Sequence, residues 1–243
     1  MIHVTDISFS WPGSGVMSLE GVDFEAEPGA IVCLAGCNGS GKSTLLQVLA
    51  GILEPQSGSI VVQGGGQFAR SSALLLQDAD MQILGATVAE DLLLAWPKPD
   101  AGRIDAARDL VGRLGLEPYW DAPVHTLSYG QKRKLCLATA LLSEPACLLL
   151  DEPFSGLDYP AIVELRRLFV TNRGRGLVQI VSTHDLEPLA DLADYALVLH
   201  GGRQAFFGSP EAALAAVAFH SEWGLRTPCS WRLQHSLASW DRE

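Results

Sequence analysis

Nine consecutive residues, Gly36-Cys37-Asn38-Gly39-Ser40-Gly41-Lys42-Ser43-Thr44, constrain this chain more than any other segment. They follow the apolar, β-prone run Ile31-Val32-Cys33-Leu34 and precede the helix-prone run Leu45-Leu46-Gln47-Val48-Leu49-Ala50. Strand, glycine-rich loop and helix in that order read as a phosphate-binding loop. The glycines let backbone N–H groups converge on phosphate oxygens, Lys42 reaches the β- and γ-phosphates, and the Ser43 hydroxyl is a ligand for Mg²⁺. A helix opening at Lys42 adds its positive dipole end to the same place. The loop thus predicts α/β layering and a nucleotide triphosphate substrate.

Downstream, Cys147-Leu148-Leu149-Leu150 is a short apolar run that ends in two carboxylates, Asp151 and Glu152. A buried parallel strand reads this way, with its C-terminal end facing a ligand. There Asp151 would hold Mg²⁺ directly or through water, and Glu152 would polarise the attacking water. An acidic turn has the same composition, and it is the phosphate loop that favours the catalytic reading. Ser128 and Gln131 open another helix-prone run, Lys132 to Leu142, with the spacing of a capping box. A capped N-terminus containing the small Gly130 is also a dipole-assisted phosphate site.

Composition narrows the function classes. At 243 residues the chain can bury a full core as one large domain or two closely packed lobes. With 48% hydrophobic and 19% charged residues it is globular and slightly apolar for a free-standing protein, which points to a partner. Asp78, Asp80, Glu90 and Asp91 interrupt the richest apolar stretches, so no bilayer-crossing segment is expected. The start Met1-Ile2-His3-Val4-Thr5-Asp6 lacks the features of a secretory signal, which predicts a chain that stays in the cytosol. A net charge of −11 repels DNA, RNA and anionic lipid, and nucleic acid is not an expected partner. Five cysteines without a C-x-x-C pair argue for reduced thiols, with Cys37 a passive member of the loop.

Leu127-Ser128-Tyr129-Gly130-Gln131, upstream of Asp151-Glu152, resembles the signature motif of the ABC ATPases, with Tyr129 where a glycine usually stands. The resemblance runs from about Ile2 to about Gly208. It implies a P-loop NTPase (RecA-like) α/β core with an antiparallel β subdomain and an inserted α-helical subdomain. It also implies MgATP hydrolysis, with Gly36, Asn38, Gly39, Ser40, Gly41, Lys42, Ser43 and Thr44 around the phosphates. By the same resemblance Trp11 stacks on adenine. Gln77, which ends the apolar strand Ala73-Leu74-Leu75-Leu76, senses Mg²⁺ and water and links the site to a transporter partner. Asp158, in Ser155-Gly156-Leu157-Asp158, crosses a dimer interface, although it also has the position of a helix cap. His184, which ends Val178-Gln179-Ile180-Val181-Ser182-Thr183, contacts the γ-phosphate and positions water.

In this family two subunits sandwich ATP, each supplying Ser128, Gly130 and Gln131 to the other's nucleotide. One chain alone is therefore expected to be inactive or weakly active, and the second ATPase subunit is either an identical chain or a related one. The segment after Gln77 resembles one subgroup, the import ATPases of the energy-coupling-factor and cobalt or nickel type. Asp80, Gln82, Ile83, Thr87, Val88, Glu90 and Asp91 carry that likeness, and Ala79 and Met81 depart from it. It implies a small transmembrane coupling protein and a membrane substrate-binding subunit as partners, uptake of a vitamin or transition metal ion, and a peripheral location on the cytoplasmic membrane face. Another ABC importer or exporter, or a soluble non-transport ABC ATPase, is the alternative; the latter usually carries a coiled-coil insertion or two cassettes, and this chain shows neither. Met81, Ile83 and Leu84 read equally as a core-facing turn or as a groove for a membrane partner.

The expected organisation is one ATPase domain over 1–219, with a helical subdomain over about 86–145, and a tail over 220–243. Strands are expected within 1–35 and 58–64 and helices over 45–51 and 160–173. Thr87 and Glu90 form a second capping box, Trp96-Pro97-Lys98-Pro99 breaks the helical stretch, and Ser209-Pro210-Glu211 starts an Ala-rich helix. The tail holds Trp223, Trp231 and Trp240 without a chemical motif.

Overall fold

Three strands, two of which the sequence marks as continuous apolar runs, are buried along their whole length. They are β3 (Ile31–Ala35), β6 (Cys147–Leu150) and β7 (Val178–Thr183). The computed structural model describes residues 1–62, 72–96 and 98–226. The other strands are β1 (Ile2–Ser10), β2 (Met17–Ala26), β4 (Ser57–Val62), β5 (Ser72–Leu75), β8 (Tyr195–His200) and β9 (Arg203–Gly208). Among the described residues their order is β4-β1-β2-β9-β8-β3-β7-β6-β5. The strands β8, β3, β7, β6 and β5 are parallel, and β9 turns back antiparallel on β8. Parallel strands need cover on both faces, which is why β3 and β6 read as unbroken apolar runs rather than as alternation.

β1, β2 and β4 form an antiparallel unit. It joins the rest of the sheet at β9 through one bridged pair, Glu20 and Arg203, whose side chains also form an ion pair at 2.8 Å. The helices are α1 (Lys42–Leu49), α2 (Val88–Leu93), α3 (Ala101–Arg113), α4 (Tyr129–Leu142), α5 (Tyr159–Arg173) and α6 (Pro210–Phe219). The start signals work as expected. Thr87 with Glu90 and Ser128 with Gln131 close reciprocal capping boxes, and Asp158 and Ser209 accept from backbone N–H groups of α5 and α6.

Among the described residues, apolar packing is divided among three clusters. The first lies between the antiparallel unit and α1, and includes Ile7, Leu19, Val22, Leu45 and Leu149. The second covers the opposite face of the parallel strands, with Cys136, Phe169, Leu189, Leu214 and Trp223. The third belongs to the helical segment, where Val88, Leu110, Val111, Leu116, Trp120 and Leu135 meet. Ile83 packs against the second and third clusters alike, whereas Met81 and Leu84 are 75% and 76% exposed. One residue of that apolar trio thus faces the core and two face solvent.

Trp223 is buried in the second cluster and Arg226 bridges to Asp185, so the chain after α6 returns to the main body. Residues 63 and 64 of the expected fourth strand, Pro97, and the Trp231 and Trp240 of the tail lie outside the described residues. The strands β8 and β9 go beyond the sequence reading. No helix among the described residues is long and apolar enough to cross a membrane.

Candidate functional site

The loop between β3 and α1 wraps a helix end that no side chain caps, because Gly41 occupies the N-cap position. The first N–H groups of α1 are therefore free to face a ligand, unlike those of α4, whose cap is closed by Ser128. Glycine is required sterically at two points. A Cβ on Gly36 would lie 2.4 Å from the Ser40 Oγ and 2.5 Å from the Leu199 carbonyl oxygen, and one on Gly41 would lie 2.8 Å from the Ser18 carbonyl oxygen. The Lys42 ammonium, 6% exposed, donates to the carbonyls of Gly36 at 2.8 Å and Cys37 at 3.2 Å. Ser40 is buried, and its Oγ has no partner among the described residues.

A cleft of about 630 Å³ opens over this loop. Trp11, Asn38, Gly39, Gly41, Lys42, Ser43, Thr44, Gln77, Glu152 and His184 line it together with Met17, Ser18 and Gly202. These residues come from just after β1, the start of β2, the phosphate loop, the β8–β9 turn, and the segments after the C-terminal ends of β5, β6 and β7, where ligands of open parallel sheets bind. Trp11 is half exposed and packs edge-on against Phe9, with ring centroids 5.3 Å apart, which leaves indole surface available for stacking.

Glu152 stands at the centre of the polar contacts. Its Oε2 is 2.9 Å from the His184 Nδ1 and its Oε1 is 3.6 Å from the Lys42 ammonium. Its backbone has φ 47, the left-handed region that side-chain-bearing residues seldom occupy. The turn is held from several sides. The Glu152 N–H donates to the Ser182 Oγ at 2.9 Å, and that hydroxyl donates to Asp151 Oδ1 at 2.6 Å. Asp151 itself is buried at the end of β6. Ser182 was invisible to sequence reasoning; only the β6–β7 register brings it beside the acidic pair.

The remaining predicted positions are elsewhere. Ser128 and Tyr129 are exposed at the start of α4, and Ser128, Gly130, Gln131 and Asp158 do not line the cleft. The Gln131 side chain accepts from the Ser128 N–H at 2.8 Å, and Asp158 accepts from the Ala161 N–H at 3.0 Å.

The ABC transporter family matches residues 19–155. The cobalt import ATP-binding protein CbiO of Rhodobacter capsulatus is 36% identical over 237 residues, spanning 91% of this chain and 83% of that protein. The energy-coupling factor transporter ATP-binding protein EcfA of Methanocaldococcus jannaschii is 30% identical over 242 residues, spanning 94% and 86%. Among solved structures, cbiO1 of Clostridium perfringens, described as part of the ABC transporter complex cbiONQ, superposes with a TM-score of 0.78 at 29% identity, covering 90% of this chain and 94% of that one. A strand-loop-helix phosphate site at the carboxyl end of a parallel sheet, and relatives that run nearly the whole length, establish that the chain belongs to the ABC transporter family as an ATP-binding, ATP-hydrolysing subunit.

Proposed function

We propose that this chain binds MgATP in the cleft over the phosphate loop and hydrolyses it between two ATPase subunits to drive uptake of a vitamin or a transition metal ion. The observation that carries the reading is the convergence of Lys42, Gln77, Glu152 and His184 on one cleft while Ser128, which is exposed, and the partly buried Gly130 lie outside it. A second subunit, identical or related, completes the site by presenting its own Ser128, Gly130 and Gln131, with Asp158 near the junction.

The residues fit Mg²⁺. The Ser43 hydroxyl, the Gln77 amide and the Asp151 carboxylate are hard oxygen donors, and the Asp151 carboxylate is oriented through Oδ1 by Ser182. When bound, the ion neutralises charge on the β- and γ-phosphate oxygens. The chain supplies the rest. Trp11 stacks on the base. Gly36, Asn38, Gly39, Ser40, Gly41 and Thr44 build the loop whose N–H groups, with Lys42, bind phosphate. Glu152 accepts a proton from water aligned with the γ-phosphate. His184, in contact with Glu152, holds that carboxylate and the water in place.

In one ATPase domain over 1–219, the separate apolar cluster of the helical segment supports a helical subdomain over about 86–145, whereas Trp223, buried in the main body, moves the start of a tail beyond residue 220. Exposed Met81 and Leu84, next to Gln77, give that segment an apolar surface suited to a helix of a transmembrane coupling protein, at the cytoplasmic membrane face. The named relatives of cobalt-import and energy-coupling-factor type favour this machine over other importers or exporters. The test is to purify the tagged chain from gently solubilised native membranes and identify what accompanies it. A small multi-span subunit with a second, substrate-binding membrane protein is expected, and replacing both Met81 and Leu84 by Asp should remove them while ATP still binds. Recovery of a conventional permease pair, or of ribosomal or DNA-repair proteins only, would overturn the reading.

A further inference from the structure

Arg133 lies one turn into α4 and is buried to 5% exposure, yet its listening posts are not carboxylates but main-chain oxygens. Nη2 donates to the Glu152 carbonyl at 2.7 Å and Nη1 to the Ser155 carbonyl at 2.7 Å. Nε is buried without a partner among the described residues, so these two bonds compensate much of the cost of burying the cation. The fork brackets the turn from Glu152 to Ser155, whose ends are also tied by the Ser155 N–H donating to the Glu152 carbonyl at 3.1 Å. That turn is the one that begins in the left-handed region at Glu152, with φ 47. A backbone of that kind persists where its surroundings over-determine it.

Tyr129 extends the arrangement. Its Oη accepts from Arg133 Nη1 at 3.2 Å and stands 3.5 Å from the Gln77 carbonyl, at the outer limit of a hydrogen bond. Its ring lies against Gly156, where a Cβ would be 3.5 Å from Cε1. One Arg–Tyr pair on α4 therefore touches both segments that carry Gln77 and Glu152, just beyond the ends of β5 and β6. We infer that Arg133, seconded by Tyr129, is a positioning residue for Glu152, holding the strained turn that aims this carboxylate into the cleft and making its orientation depend on where α4 sits.

The inference rests on the reading of Glu152 as the group that polarises water. A planar fork can span two carbonyls where an ammonium serves one at a time, so Arg and Lys are not equivalent here. The experiment compares Arg133→Met, Arg133→Lys, Tyr129→Phe and Glu152→Gln in the full chain as recovered with its membrane partners. For each, the ATP dissociation constant, kcat and KM are measured separately, together with the thermal midpoint. Arg133→Met is expected to lower kcat by about tenfold or more, the size of a lost charge-assisted bond expressed as a rate, with the ATP dissociation constant within about twofold of the parent. Arg133→Lys should restore part of the loss, and Tyr129→Phe should lower kcat a few-fold at an unchanged midpoint.

A lower midpoint with unaltered kcat in the folded fraction, or equal losses of ATP binding and kcat, would reduce Arg133 to a structural group and overturn the inference. Should Arg133→Met fail to fold, Arg133→Lys and Tyr129→Phe decide, and parental kcat in both overturns it. Glu152→Gln separates the two levels. If it stops hydrolysis while Arg133→Met turns over normally, only the positioning role fails; if Glu152→Gln hydrolyses ATP normally, the reading of Glu152 fails and the inference falls with it.

Discussion

Oε2 of Glu152 lies 2.9 Å from Nδ1 of His184, although the two residues follow different strands, β6 and β7, and are 32 positions apart in the chain. Contact between a carboxylate and an imidazole at the mouth of a phosphate cleft predicts unequal effects on binding and turnover. Glu152→Gln should lower ATP hydrolysis by about 100-fold or more, the scale of a lost general base, and leave ATP binding intact. His184→Ala should fall in the same direction by a smaller factor. Phosphate release and equilibrium nucleotide binding, measured side by side, check both, and an ATP-loaded dimer of the Glu152→Gln chain should appear on gel filtration.

Backbone crowding at the phosphate loop gives a second prediction. Gly36→Ala places a methyl 2.4 Å from the Ser40 Oγ, whereas Gly39→Ala meets no atom within 4 Å, although both glycines have positive φ. The Gly39 change carries conformational strain of about 1–3 kcal/mol alone, and the Gly36 change adds displacement of the loop. ATP affinity should therefore fall further for Gly36→Ala than for Gly39→Ala, with little loss of overall helicity in either, as nucleotide titration and circular dichroism would show.

Burial pushes the thiols of Cys33, Cys136 and Cys147 up to about 12, with negative charge at Glu152 and at Asp91 adding to the effect at Cys33 and Cys136 respectively. Almost no thiolate exists at these positions at neutral or mildly alkaline pH, so alkylation there waits on unfolding. Cys37 is half-buried in the phosphate loop. Of these four it should react first with iodoacetamide, and ATP should slow it, as peptide mass spectrometry would report. Fast labelling of Cys33 or Cys147 in the native chain would contradict the packing described above.

The acid limb of stability should contain a contribution from Asp191. A hydrogen bond from Arg166, at 2.7 Å, holds this carboxyl below its ordinary value of 3.8, with the arginine charge adding to it. A depressed folded value means the contribution is fully present above the ordinary value and is lost as pH falls through the folded one. The Asp191 side chain is 72% exposed, so the pair is worth at most about 1 kcal/mol. Asp191→Asn should lower the thermal midpoint slightly at neutral pH and narrow its distance from the parent below about pH 4.

Much of the site could be read in the sequence because its signals are local. The phosphate loop depends on neighbouring glycines, and each capping box spans four residues whose chemistry is the same in any context. β3 and β6 announced themselves as unbroken apolar runs because parallel strands are covered on both faces. β8, with Tyr195 to Leu199 unbroken, carries the same apolar signal as β3 although the sequence reading did not include it; in β9, Arg203, Gln204 and Gly208 dilute the signal, and pairing with β8 stabilises the strand. Ile83 was ambiguous for a similar reason, since a single aliphatic residue in a short turn has no period that says which way it faces.

The sequence alone determined that a phosphate loop joins a buried strand to a helix, that an acidic pair ends another such strand, and that Ser128 opens a capped helix, since each rests on residues adjacent in the chain. Tertiary structure decided the rest. The alignment of β6 with β7 set Ser182 against Asp151 and brought His184 to Glu152, the packing of α4 carried Arg133 to the carbonyls of Glu152 and Ser155, and the return of the chain after α6 buried Trp223. Such contacts join residues far apart in the chain, and their existence depends on strand register and helix packing, which no local run of residues encodes.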